Sequence, residues 1–458
     1  MKFQIALVGL FVFSFTSVSD AAVGEKQSER YENIETFQKV LHFVEQNYVE
    51  EVKNRQLIQG AIKGMLETLD PHSNFLTAEV FRDMKIETSG KFGGIGIEIG
   101  MKDNVLTVVT PIEDTPAWKA GIKPNDRILK IDGESTKGMT LADGVAKMRG
   151  KKGQAITLTL GKEGSSATHD IKIIRELIKI QSVKSELLES SYGYVRLTNF
   201  NETAARDVKK AIEELDRKSE KEGGTKLKGL VFDLRYNPGG LLDQAVDVTS
   251  LFIDEGVVVS TIGRNKDQKE VRHAAKGQAR RDLLLAVLVN GSSASASEIV
   301  AGALQDHNRA LVLGQPTFGK GSVQTILDLG QDMGLKLTVA RYYTPSGKSI
   351  QEKGVTPDVL LEDLDSKMLA SVRRQARSVR EKDLKRHMTH PDGDSGAKNA
   401  QSAVKGGLDE EGEDSSSAFK FSPREDYQVA QALGYLKSFQ VFERMNSQTI
   451  SKKAALKQ

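Results

Sequence analysis

The chain has 458 residues, enough for two to four domains at ~150 residues each and for a sizeable core. Hydrophobic residues make up 38% and charged residues 28%, which excludes a polytopic membrane protein and a wholly disordered chain. Lys and Arg number 65 against 62 Asp and Glu, so the +3 balance marks no dedicated nucleic-acid binder; with no cysteine there is no disulfide framework, thiolate metal site or cysteine nucleophile.

Residues 1–22 read as a secretory signal: Lys2, the apolar run Ile5 to Phe15, then small residues with Ser19 and Ala21 placed before a cut. The run is shorter than the ~20 residues that cross a bilayer, so an uncleaved anchor is the lesser alternative and the periplasm the expected compartment. Residues 23–84 form a helical N-terminal segment, with apolar residues at helical spacing (Phe37, Val40, Leu41, Val44; then Leu57, Ile58, Ala61, Met65) broken by Asp70-Pro71. From 85 to 177 the pattern changes to short β-like runs separated by glycine: GIGIEI, VLTVVT, RILKID and AITLTL. One helix interrupts them at Leu141 to Met148, with Gly150 as its stop.

Within that β unit, glycines 93, 94 and 96 let the backbone turn sharply, so amides near Gly94, Ile95 and Gly96 can converge on an anion. Ile97-Glu98-Ile99 would then be an edge strand able to pair with an extended peptide. A plain β-turn or bulge is the rival reading of GGIG alone. Together, FGGIGIEI and PAWKAGIKPNDRILKIDG (Pro116 to Gly133) resemble a PDZ domain. The resemblance implies a peptide C-terminus as ligand, held by Gly94, Ile95, Gly96 and Ile97. Arg149 either adds charge to that site or is a solvated surface arginine.

Residues 178–363 alternate apolar strands (YGYVRL, GLVFDLR, LLLAVLVN, ALVLG, LKLTVARYY) with helical stretches after Glu202, Leu241 and Ser295, which predicts an α/β unit whose sheet is covered on both faces. A basic helical extension follows at 364–390. Residues 391–420 are acidic and poor in large apolar residues, so a disordered linker is expected. The segment 421–458 returns to helical spacing between Tyr427 and Arg444, at Val429, Ala432, Leu433, Leu436, Phe439 and Val441.

Three core segments hold candidate chemistry: FDLRYNPGG (Phe232 to Gly240), NGSSASASEIVAGALQD (Asn290 to Asp306) and PTFGKGSVQ (Pro316 to Gln324). Strand LLLAVLVN ends at Asn290 and a helix begins at Ser295, so the free amides of its first turn and its dipole suit a developing oxyanion. Serine needs a base. Of seven histidines only His307 lies near it in the core, but ~18 Å along the same helix at 1.5 Å per residue. A lysine serves if burial brings its pKa down by about three from ~10.4, roughly 4 kcal/mol of desolvation. Lys320 lies between Gly319 and Gly321, and in an extended strand Gln324 shares its face and can hold the amine without adding charge.

Each of these residues has a plainer reading. Ser295-x-x-Glu298 is also a capping box, which gives Glu298 a structural part, and Lys320 has the alternative of a surface lysine. Gly314 to Lys320 spells G-x-x-x-x-G-K, yet Gly321 stands where a phosphate-binding loop needs Ser or Thr, and strand-like residues follow where a helix is required. Asp233 and Asp243 have no third metal ligand at suitable spacing, so Asp233 is expected to pair with Arg235 or cap a turn.

Taken in order, the three segments resemble the carboxy-terminal processing, or tail-specific, proteases, with similarity running from Ile34 to Asp358. The resemblance implies a ClpP/crotonase-like serine–lysine protease core joined to a β-rich PDZ domain, with helical N- and C-terminal segments. It makes Ser295 the nucleophile, Lys320 the general base, Gln324 the residue orienting the lysine, and Gly240 and Ala296 the backbone oxyanion donors. An exported endopeptidase acting on proteins with exposed apolar C-termini is expected, without metal, nucleotide or redox cofactor, nucleic-acid partner or a membrane span after signal cleavage. A homo-oligomer or an adaptor protein is compatible with this. The competing class is a non-catalytic PDZ peptide-binding scaffold on a degenerate protease core; such a scaffold would have lost the serine or the lysine, and both are present.

Overall fold

Helical spacing near the N-terminus resolves into two helices, α1 (Ser19–Asn47) and α2 (Asn54–Glu67), which form one unit. The sequence suggested a single lead-in; the chain leaves the helix after Asn47 and re-enters it from Lys53, whose backbone is extended. The structure is a computed structural model that describes residues 19–162, 167–265, 267, 269–362 and 422–455. Most of the expected signal segment, the helical extension 364–390 and the acidic linker 391–420 therefore lie outside the described residues.

The second unit opens with strand β1 (Asn74–Leu76) and helix α3 (Ala78–Ser89). Helix α3 runs past residue 84 and stops at Gly90, whose left-handed backbone (φ 66°) caps it. A β-rich lobe follows: β2 (Lys91–Gly94), β3 (Ile97–Lys102), β4 (Val105–Pro111), α4 (Pro116–Lys119), β5 (Arg127–Ile131), β6 (Glu134–Ser135), α5 (Leu141–Met148), β7 (Ala155–Gly161), β8 (Thr168–Ile174) and β9 (Glu176–Lys179). Strands β3-β4-β5-β7-β8 form an antiparallel sheet in that order, with β6 on β5, while β2 pairs with β9. Alternate residues such as Leu158 and Leu160 bury one face against Ile128, Ile173 and Met148 of α5. Strand β3 is an edge, as the glycine-bracketed pattern suggested.

The remaining elements are β10 (Val183–Glu189), β11 (Tyr192–Leu197), α6 (Ala204–Gly223), β12 (Gly229–Asp233), α7 (Leu242–Ser250), β13 (Val257–Gly263), β14 (Lys269–His273), β15 (Leu284–Val289), α8 (Ala296–Asp306), β16 (Leu311–Gly314), β17 (Ser322–Gly330), β18 (Met333–Tyr343), β19 (Val359–Leu360) and α9 (Tyr427–Ala455). A six-stranded sheet runs β10-β11-β12-β15-β16-β19 and is parallel from β11 onward. Its inner strands β12 and β15 are almost wholly apolar because both faces are covered, whereas the edge strand β10 carries Lys184, Glu186 and Glu189. Leu230, Phe232 and Val287 pack under α6, α7 and α8, while Val231, Ala286 and Leu288 meet Val429, Ala432 and Leu436 of α9. A second, antiparallel sheet, β1-β18-β13-β14 with β17 on β18, includes the end of the third candidate segment, Ser322 to Gln324, in β17.

Candidate active site

Parallel strands that end at one edge bring the loops after β12 and β15 together, and the polar side chains in those loops fix the geometry. Asn237, fully buried, is the hinge of the turn after β12. Its side-chain amide donates to the Leu197 carbonyl (2.8 Å), and its Oδ1 accepts from the Gly239 amide (2.9 Å). Its own carbonyl accepts from the Ala294 amide (3.0 Å) and the Ser297 hydroxyl (2.9 Å), which ties this turn to the segment entering α8.

Glycine is obligatory next. Gly240 has φ 142°, and a Cβ there would lie 2.5 Å from the Phe200 carbonyl oxygen; at Gly239 it would lie 3.0 Å from the Ala296 nitrogen. The bridge between Phe200 and Gly240 is closed by the Gly239 carbonyl and the Leu241 amide, which leaves the Gly240 N–H outside it. Ala296 is the first residue of α8, where amides have no intrahelical acceptor.

Ser295 precedes that helix in a left-handed conformation (φ 55°, ψ −112°) uncommon for a side-chain-bearing residue, and it is 6% exposed. Glu298 holds it there. The carboxylate, wholly buried, accepts the Ser295 amide (2.8 Å) and the Lys320 amide (2.9 Å) on one oxygen, and the Gly319 amide (2.7 Å) and Thr317 hydroxyl (2.5 Å) on the other. One side chain thereby fastens the serine turn to the loop 315–321. Burial pushes the Glu298 carboxyl up to about 7, although its four donors act in the opposite direction. The sequence reading gave Glu298 only a capping part; its reach across to the lysine loop is what periodicity cannot reveal.

Ser295, Lys320, Gln324 and Gly240 line one cleft of about 370 Å³, with Met84, Glu87 and Thr88 of α3 on its rim. Lys320 is half-buried. Lys320 and Gln324 do not share a strand face as expected: β17 begins only at Ser322 and carries a bulge between Val323 and Gln324. The two reach one cleft because the loop before the strand turns the lysine inward. Gln324 is fixed by its amide nitrogen, which donates to Ser322 Oγ (2.9 Å) and Thr338 Oγ1 (3.3 Å). Thr338 is held in turn by Asp70 and Ser73. Tyr342, buried and not singled out from the sequence, lines the same cleft as Ser295 and Lys320. Burial raises the phenol's pKa, and the Glu298 charge adds to that rise.

The other candidates find ordinary partners. His307 ends α8 with Nε2 against the Val257 carbonyl (2.7 Å). Asp233 takes the Arg235 guanidinium and the Tyr194 hydroxyl, and Asp243 pairs with Arg272. After Lys320 comes strand β17, not the helix that a phosphate-binding loop requires.

In the β-rich lobe, Gly94, Ile95, Gly96 and Ile97 line a groove of about 140 Å³ with Phe92, Val145, Met148 and Arg149. Gly96 (φ 75°) packs on Thr115, where a Cβ would lie 2.3 Å from the Thr115 Cβ. Arg149 stands at this groove, over the Phe92 ring and ion-paired with Asp83 of α3. Helix α3 therefore lines the cleft and meets the groove through the Asp83–Arg149 ion pair.

Comparison with known proteins identifies the family. Residues 191–361 match Peptidase family S41, residues 107–161 match the PDZ domain, and residues 13–80 match the "activating protease CtpB N-terminal domain". A carboxy-terminal-processing protease of Bartonella bacilliformis is 46% identical over 357 residues, covering 78% of this chain and 81% of that one. The carboxy-terminal processing protease CtpA of Bacillus subtilis is 36% identical over 78% of this chain and 75% of its own. A solved photosystem II D1 C-terminal processing protease aligns at 31% identity and a TM-score of 0.41, over 72% of this chain and 94% of that one. With a mixed α/β core, a PDZ lobe and relatives of this extent, the chain belongs to the carboxy-terminal-processing proteases of peptidase family S41.

Proposed function

We propose that the chain is an exported, periplasmic endopeptidase that grips a protein's apolar C-terminal tail in the PDZ groove and cleaves by a serine–lysine mechanism. The observation that carries the reading is one cleft holding Ser295, at the strained entry to α8, together with Lys320 and Gln324. The neutral amine of Lys320 takes the Ser295 hydroxyl proton while Oγ bonds the scissile carbonyl carbon. The developing oxyanion meets the amides of Gly240 and Ala296, each such donor contributing ~3 kcal/mol to the transition state. The lysine then protonates the leaving amine. Water, deprotonated by the same lysine, releases the acyl group and Oγ regains its proton. Gln324, its amide nitrogen already engaged by Ser322 and Thr338, offers its carbonyl to the amine and brings no charge that would favour the ammonium form. Main-chain pairing along edge strand β3 supplies affinity for a tail, and the groove's apolar walls favour an apolar end. Purified Ser295→Ala and Lys320→Ala proteins are expected to bind tail peptides normally and to leave an unstructured reporter uncut. Near wild-type cleavage by Lys320→Ala would overturn the proton-acceptor assignment.

A further inference from the structure

A hydrogen-bonded chain runs from the turn before β1 to the side chain of Gln324. Asp70, 7% exposed, holds that turn: its Oδ1 accepts the His72 and Ser73 amides (both 2.8 Å) and its Oδ2 accepts the Ser73 hydroxyl (2.7 Å). A turn former would need nothing more. Yet Oδ1 also accepts the hydroxyl of Thr338 on β18 (3.1 Å), 268 residues away, and the Thr338 amide donates to Ser73 Oγ (3.1 Å). Thr338 stands opposite Gln324 in the register of β17 on β18, and its Oγ1 accepts the Gln324 side-chain nitrogen (3.3 Å). We propose that Asp70 and Thr338 are positioning residues, which fix the direction of this chain so that the carbonyl end of Gln324, and not its NH₂ end, is left for Lys320.

The direction follows from what each group can donate or accept. The two ends of a glutamine amide have nearly the same shape, so their partners decide which way it lies. Ser322, the other partner of the nitrogen (2.9 Å), does not decide, because a hydroxyl can serve in either sense. An ionised carboxylate can only accept. Thr338 has one hydroxyl proton and gives it to Asp70, so its lone pairs must meet a donor, and the nitrogen is the end of Gln324 that supplies one. Asp70 keeps its charge: burial opposes ionisation, but the bonds from Ser73, His72 and Thr338 outweigh it and hold the carboxyl below its ordinary range. Neither Asp70 nor Thr338 is among the residues lining the cleft, so both act through Gln324.

This inference rests on the reading of Gln324 as the residue that orients Lys320. Its test compares Thr338→Val, which keeps the shape and loses the hydroxyl, with Thr338→Ser, Gln324→Ala and the double variant, all in the full chain. Four quantities are read: kcat and KM on an unstructured reporter with an apolar tail, the pH–rate profile, tail-peptide affinity, and melting temperature. For Thr338→Val, kcat is expected to fall roughly five- to twentyfold while KM and peptide affinity stay within about twofold, and Thr338→Ser should return kcat to within about threefold of wild type. The ascending limb of the pH–rate profile should move to lower pH, because a carbonyl aimed at an amine favours the ammonium form and its loss leaves more of the neutral base. On a Gln324→Ala background, Thr338→Val should cost almost nothing further, since the two residues act as a unit. Thr338→Ala, likewise without the hydroxyl, replaces the valine variant if that one folds poorly. Near wild-type kcat without the hydroxyl overturns the inference. So does a loss that leaves the limb in place, or one that multiplies in full with that of Gln324→Ala, which is what a merely structural threonine would give. Should Gln324→Ala alone cleave at near the wild-type rate, the orienting role of Gln324 fails, and this inference with it.

Discussion

Replacing Glu298 by Gln keeps the shape and removes the charge from the centre of the site. The carboxylate accepts four donors, two on each oxygen. A glutamine presents one oxygen and one NH₂, so two of the four donors face another donor whichever way the amide turns. Losing two buried bonds costs roughly 1–3 kcal/mol each. An opposing effect nearly cancels this. The rise from the ordinary 4.5 to about 7 means that, above pH 7, ionising Glu298 costs the folded state about 1.4 kcal/mol per factor of ten, roughly 3 kcal/mol, which Gln avoids. The net change in stability at pH 8 is therefore small, between about −1 and +3 kcal/mol destabilising. Activity should not be spared, because the lost donors include either the Ser295 and Lys320 amides or the loop's Gly319 and Thr317; misplacement by ~1 Å costs on the order of 100-fold in kcat/KM. The pH dependence has a fixed sign. A carboxyl raised in the folded state stabilises it fully below about 4.5 and loses that contribution as the pH rises through about 7, so stability relative to the Gln protein falls across that window. Chemical denaturation of both proteins between pH 5 and 8, with kcat/KM at pH 8, checks each part. A Gln variant of near wild-type kcat/KM, or a stability difference independent of pH, would refute the reasoning.

Asp426 at the start of α9 shares the Arg235 guanidinium (2.8 Å) with fully buried Asp233. Since Arg235 keeps Asp233, Asp426→Ala should cost about 1–3 kcal/mol rather than the 3–5 of an orphaned buried charge, read as a shift in the urea midpoint; a loss below about 0.5 kcal/mol would dismiss the clamp. Gly96→Ala must distort the groove, because its Cβ would sit 2.3 Å from the Thr115 Cβ and its φ is 75°. Tail-peptide affinity by fluorescence anisotropy should drop at least about tenfold while fluorophosphonate labelling of Ser295 continues; unchanged affinity would put the peptide elsewhere.

The central sheet was legible because burial on both faces leaves an unbroken apolar run: GLVFD and LLAVLV read as strands without any partner in view. Helix α5 was legible from Leu141 to Met148, where a polar cap and a following glycine bound the apolar spacing. Other elements were not. Strand β14 (KEVRH) and the far end of β17, where Ile326, Leu327 and Leu329 are exposed, lack an alternating apolar face. Their pairing is set by the neighbouring β13 and β18. Helix α4 has four residues, too few for any period to register. The C-terminal helix continues to Ala455, beyond the Arg444 where its apolar spacing ended, because backbone propensity extends a helix after its buried stripe stops.

The site divides along a different line. Ser295, Lys320 and the glycines around them stood out as residue types placed where a turn must be tight or a charge is out of context. The bonds made by Asn237 and Glu298 did not, and each acts through a partner remote in sequence: Leu197 for the asparagine, Gly319 and Lys320 for the glutamate. A buried polar side chain is tolerable only when its bonds are satisfied, so its presence in a core segment is itself a signal of such a partner, though never of which one. Asn237 makes the point most directly. In NPGG it reads as a turn former, yet its side chain ties the turn after β12 to Leu197 while its carbonyl holds the entry to α8 through the Ala294 amide and the Ser297 hydroxyl. The geometry around Ser295 is thus set by polar groups whose partners lie on other segments. Those partners come within reach only once the parallel strands have been stacked in order, which is why a linear reading could propose Ser295 and Lys320 before it could find what holds them.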